Sequence, residues 1–141
     1  MSPASSPTLD PIIQVERYIE LDYNDCHCWE LVRRVYRDVW GVDLPTYEAD
    51  VEDADAVGSL IAKHSQLWDE VPIPQAQPMD VLTAWVKDKD KPPTHVGIVV
   101  SRGEMLSSYR PRPRVDVYCA GFWGRRVVNC YRYSGDRPRD I

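Results

Sequence analysis

Residues 28–45 read Cys28-Trp-Glu-Leu-Val-Arg-Arg-Val-Tyr-Arg-Asp-Val-Trp-Gly-Val-Asp-Leu-Pro45, and the fold is organised around this stretch. From Cys28, the apolar residues Leu31, Val32, Val35, Tyr36 and Val39 recur at the spacing of one helical face. Arg33, Arg34, Arg37 and Asp38 take the opposite face. Asn24 or Asp25 offers an N-cap, Gly41 a C′ residue, and Pro45 forbids the helix from resuming. A cysteine therefore stands at the first turn of a helix. Free N–H groups and the positive end of the helix dipole favour a thiolate there, and the same groups can hold an oxyanion.

Upstream, residues 1–10 are Ser/Pro-rich and read as a flexible tail without the pattern of a signal peptide. Residues 12–19 form a short helix or an extended lead-in. Downstream, Val57, Leu60, Ile61 and Leu67 predict a second helix over about 52–68. The Pro-rich stretch 71–78 reads as an extended connector. Segments 81–86, 95–100, 105–109, 115–119 and 126–133 read as short strands, with Arg-Pro and Ser-Arg-Gly turns between them. The layout predicts an α+β domain over 11–133, with N-terminal helices packed on a C-terminal antiparallel sheet, and a polar tail over 134–141.

Composition narrows the function classes. The chain has 141 residues, 43% of them apolar, enough for one domain with a real core. No stretch approaches the ~20 apolar residues of a membrane span. Net charge is −5, with 8 Lys/Arg against 18 Asp/Glu in residues 1–100 and 9 Arg against 4 Asp/Glu after them. The expectation is that the two parts face each other and partly neutralise. An acidic chain without a recognisable binding motif argues against nucleic acid as partner.

Four cysteines occur, Cys26, Cys28, Cys119 and Cys130, with no C-x-x-C pair. The spacing predicts neither a metal site nor a cofactor. Cys119 and Cys130 fall in strand-like runs and read as small buried hydrophobes.

His95 opens the apolar run His95-Val-Gly-Ile-Val-Val100. A histidine at a strand mouth keeps its ring near solvent and can serve as a general base. Gly97, on the same face, is expected to leave room beside that ring. A nucleophile and base far apart in sequence suit thiol catalysis.

These segments resemble the NlpC-type cell-wall peptidases, and most closely their phage branch. That branch has Cys-Trp-x-Leu-Val-Arg, then Tyr, then Gly-x-x-Leu-Pro, which residues 28–45 match. Pro78-Met-Asp-Val81 is similar to the family's Pro-Gly-Asp-Val, and His95-Val-Gly-Ile98 to its base strand. Met105-Leu106 corresponds to the next strand, and Phe122-Trp123 through Tyr131-Arg-Tyr133 to the phage-type C-terminal strand. The resemblance covers about residues 18–133.

It implies a papain-like fold and hydrolysis of a peptide bond in peptidoglycan stems, with Cys28 as nucleophile and His95 as base. It further implies a tail-tip location on a phage-like particle, action at the cell wall, and other tail or baseplate proteins as partners. A tyrosine ahead of the helix lines the site in some relatives, and Tyr18 and Tyr23 are the candidates. The third catalytic position, often His, is Ser107 here. Ser accepts a hydrogen bond from an imidazole but supports an imidazolium weakly. Glu30 and Met79 stand where relatives carry glycine, and His27 where many carry Asp. Glu30 raises the pKa of the thiol if it turns towards it. Cys26 is a competing nucleophile off the apolar register. The alternative function is a structural or assembly component of a tail tip that keeps the fold with weakened activity.

Overall fold

The computed structural model describes residues 13–21, 28–45, 65–86, 95–109 and 112–138. Helix α1 spans Cys28–Trp40. Six strands follow: β1 (Trp68–Val71), β2 (Val81–Ala84), β3 (His95–Ser101), β4 (Glu104–Tyr109), β5 (Arg112–Val117) and β6 (Val127–Tyr133). They form one antiparallel sheet in the order β1-β6-β2-β3-β4-β5. The α+β expectation holds as one helix on a six-stranded antiparallel sheet. Among the described residues α1 is the one α-helix; the second expected helix, over about 52–68, lies mostly outside them.

The α1 stripe packs as its spacing requires. Leu31, Val32, Val35 and Tyr36 are all buried, against Val81, Val96, Ile98 and Leu106 of the sheet. Each such side chain contributes roughly 1.5–3 kcal/mol through removal from water. Tyr36, Trp40, Trp68 and Tyr133 form an aromatic cluster at the far end, with Tyr36 edge-on to both Trp40 and Tyr133. The helix ends as expected at Gly41, which has φ +69°. Gly41 N–H donates to Arg37 and Val42 N–H to Tyr36, closing the last turn. The predicted N-caps, Asn24 and Asp25, lie outside the described residues.

The opposite sheet face has its own cluster, of which Leu82, Val99, Met105, Trp123 and Cys130 are members. Successive strand residues point to opposite faces, so β3 sends Val96 and Ile98 towards α1 and His95, Gly97 and Val99 towards this second cluster.

Several boundaries depart from the sequence reading. Most of the second helix falls outside the described residues. Its expected end does not hold: Ser65–Leu67 is a 3-10 turn and Trp68 opens a strand. Trp68–Val71 pairs with β6 at the sheet edge, and the charged Asp69 and Glu70 are tolerated because one strand flank is unpaired. The Pro-rich connector contains a 3-10 turn, Ile73–Gln75, between extended residues. Strand β5 begins at Arg112, three residues earlier than expected, because Tyr109 pairs with Arg112 and the edge position accepts Pro113. Cys119 therefore lies beyond β5 and is exposed, not buried. Cys130 is buried as expected, and both are free thiols.

A buried ion pair locks the start of β2. Asp80 accepts two hydrogen bonds from Arg132, at 3.0 and 2.9 Å, and one from the Gln77 N–H at 2.8 Å. Here the acidic and basic parts of the chain do meet. Arg114 instead pairs with Asp116 in its own part. At the C-terminus, Arg137 lies over the Trp40 ring at 4.1 Å and donates to the Tyr133 carbonyl.

Candidate active site

Cys28 occupies the first position of α1 and is 9% exposed. Its sulfur is within hydrogen-bond reach of the backbone N–H groups of Val96, Trp29 and Cys28 itself. The last two are the unsatisfied donors of a helix start. The Val96 donor is supplied by the sheet. Burial raises the thiol pKa, and the three N–H groups oppose that only in part. The resting group is therefore a neutral thiol in a cradle built to receive negative charge.

His95 is the first residue of β3, next to Val96, so the helix start brings Cys28 to the same point of the strand. His95 pairs with Ala84 of β2 and is buried. Burial lowers its pKa to about 4, while the Asp116 carboxylate acts in the opposite sense. At neutral pH the ring is uncharged and can accept a proton. Its plane lies on the Trp123 indole, with centroids 4.8 Å apart and 9° between planes. The thiol thus approaches β3 from the α1 side, while the His95 ring and the Trp123 indole lie together on the opposite face of the sheet.

Ser107 lies on β4 with its side chain fully buried. Its hydroxyl makes no hydrogen bond among the described residues. The space at Gly97 belongs to Met105 and Ser107, not to the imidazole. A Cβ there would sit 2.7 Å from the Met105 sulfur and 3.2 Å from the Ser107 Cβ.

Glu30 turns away from the thiol. It pairs with Arg33 at 2.7 Å and Arg34 at 3.5 Å on the outer helix face. Tyr18 is buried and donates to Asp38 at 2.7 Å, in a recess it shares with Arg17, Leu21, Arg34 and Arg37. Asp38 is ten residues from Cys28, roughly 15 Å along the helix axis. Tyr23, Cys26 and His27 lie outside the described residues.

Sequence reasoning missed two contributors. The Val96 N–H is a backbone donor and has no residue signature. Asp116 on β5 accepts the Trp123 indole N–H at 3.4 Å, a partnership that only the sheet order creates. Among the described residues no group of three or more His, Cys, Asp or Glu is placed to hold a metal ion, and no helix is long and apolar enough to cross a membrane.

The family model described as NlpC/P60 family matches residues 20–132, which contain both Cys28 and His95. No curated protein matches the chain. A free, buried cysteine at the start of the helix fits the chemistry of that family. The chain belongs to the NlpC/P60 family of cysteine peptidases.

Proposed function

We propose that the protein is a phage tail-associated peptidoglycan endopeptidase of papain-like fold, in which Cys28 attacks a stem-peptide carbonyl and His95 is the general base. One observation carries this reading: the Cys28 sulfur faces three backbone N–H groups at the start of β3, one of them that of Val96, the residue that follows His95. Transfer of the thiol proton to the neutral imidazole creates the nucleophile where those donors stabilise it. The same N–H groups can donate to the oxyanion that follows. Tyr18 and Tyr23 remain candidates for lining the substrate path, and Ser107 for the third position.

The tail-tip assignment, with baseplate or tail proteins as partners, is supported by the Cys28-Trp-Glu-Leu-Val-Arg and Phe122-Trp123 motifs, which resemble the phage branch. A second reading, a tail component with weakened activity, is favoured by the Ser107 hydroxyl, which engages nothing among the described residues.

The test is incubation of the protein with peptidoglycan sacculi beside a Cys28→Ala control, with released peptides identified by mass spectrometry. Product from the native protein alone supports the peptidase. Equal product from both sinks the Cys28 mechanism, and none from either supports the structural reading.

A further inference from the structure

A cysteine–histidine pair needs something to hold the imidazole and to favour its charged form once the thiol proton arrives. Ser107 occupies the expected slot without engaging any partner among the described residues. Among the described residues, β5 and the turn before β6 supply side chains that act on the ring.

We propose that Trp123 is the positioning residue for His95, with Asp116 anchoring the indole and favouring the imidazolium across it. The inference rests on the reading of His95 as the base. Its geometry is a chain of contacts. Trp123 lies flat on the His95 ring at 4.8 Å and 9°. The indole is 3% exposed, so the covered side of the imidazole is dry. The indole N–H donates to Asp116 Oδ2 at 3.4 Å. Arg114 holds the same carboxylate by three contacts of 3.0 to 3.2 Å.

Each link has a separate effect. A flat stack against a buried indole limits rotation of the ring and leaves its edge directed out of the stack. The indole itself is fixed by its hydrogen bond, so the stack cannot slide. In the proton-transfer step the S–H bond of Cys28 breaks, its proton binds the imidazole nitrogen, and a thiolate and an imidazolium result. Backbone N–H groups favour the first product, and the Asp116 charge favours the second. Among the described residues Asp116 is a charged group that acts on His95 through space, and Arg114 pairs with it. The carboxylate need not touch the ring, because in a buried setting a charge is felt beyond contact distance.

The test uses the full chain as native protein, Trp123→Phe, Trp123→Ala and Asp116→Asn. His95 is titrated by NMR, its signal identified among the three histidines by its loss in His95→Gln. Native His95 is expected to titrate near 4. Trp123→Ala opens the ring to water and is expected to move the titration up by about one unit or more towards the ordinary ~6.5. Asp116→Asn keeps an acceptor for the indole but removes the charge, and is expected to move it down. Trp123→Phe keeps a stacked ring and is expected to restore the native titration. Opposite shifts in the two variants are not produced by general loosening of the fold.

On a stem peptide, Trp123→Ala is expected to lower kcat about tenfold or more with KM within about twofold, with Trp123→Phe recovering most of the loss. An unmoved His95 titration in both Trp123→Ala and Asp116→Asn overturns the proposal, as does an unchanged kcat in Trp123→Ala. If Trp123→Ala does not fold, Asp116→Asn decides: a downward shift supports the proposal and none overturns it. If the native protein cleaves no stem peptide, the peptidase reading fails separately, and the titrations still decide the Trp123–Asp116 arrangement.

Discussion

The Tyr36 hydroxyl of α1 donates to the backbone carbonyl of Met79 at 2.5 Å, across the interface between helix and sheet. Met79 holds a left-handed backbone, φ +79°, with its side chain buried. Its N–H donates to Val99, and the Val99 N–H returns to Asp80, so the strained residue is fixed on both sides. Glycine would take this positive φ without steric cost. Methionine accepts a cost of roughly 1–2 kcal/mol and recovers it by filling the core beneath Tyr36.

The order of substitutions at Met79 should therefore invert. Met79→Ala loses the buried side chain and keeps the strain, an expected destabilisation of about 2–4 kcal/mol. Met79→Gly loses the same packing but relieves the strain, and should be more stable than Met79→Ala by about 1 kcal/mol. Urea unfolding of the two variants decides it; alanine above glycine would refute the strained conformation.

Tyr36→Phe keeps the ring and removes one donor. The Met79 carbonyl is then buried with one partner fewer, at an expected cost of about 1–3 kcal/mol. A change below about 0.5 kcal/mol in thermal or urea unfolding would show that water or another donor replaces the phenol.

The Asp80–Arg132 pair should behave as an internal lock. Asp80 is nearly fully buried, while the Arg132 side chain is 32% exposed. Asp80→Asn leaves Arg132 without its charged partner. The expected loss is about 2–3 kcal/mol, below the usual cost of breaking a buried pair because water reaches the guanidinium. Chemical denaturation measures it, and a neutral result would contradict the burial of Asp80.

Acid should weaken the fold through His95. Its pKa is lowered to about 4 in the folded chain, against about 6.5 unfolded. Between those values the unfolded chain binds a proton that the folded chain refuses, so stability falls as pH drops through that window. The loss is up to roughly 3 kcal/mol, and it is fully regained above the unfolded value. The difference in unfolding free energy between native protein and His95→Gln should shrink by that amount from pH 7 to 4. A pH-independent difference would mean that the imidazole is not buried.

Cys28 should be slow to alkylate at neutral pH. Burial raises its thiol pKa, and reaction requires the thiolate. Peptide mapping after iodoacetamide should find Cys119, which is exposed, modified ahead of Cys28. The Cys28 rate should climb only at alkaline pH. Rapid modification at pH 7, ahead of Cys119, would show that the backbone donors outweigh burial.

Much of this architecture was legible from residue order. Leu31, Val32, Val35 and Tyr36 repeat at helical spacing, and that spacing alone placed Cys28 on the first turn and Gly41 just past the last. The runs at 81–86, 95–100, 105–109 and 126–133 alternate or cluster strongly enough to be strands. These signals are local, because a helix stripe or a strand is written in neighbours a few residues apart.

The tertiary structure decided the rest. Trp68 belongs to an edge strand because β6 offers its backbone a partner, and four residues with Asp69 and Glu70 among them carry too little alternation to announce it. The thiol cradle includes the Val96 N–H, and backbone donors leave no mark in a sequence. The His95 ring is covered by Trp123, twenty-eight residues on, because the chain returns from β5 through the Trp123 turn to β6 on the face opposite α1. Periodicity thus placed Cys28 on its helix, while the long-range order of strands chose what surrounds His95.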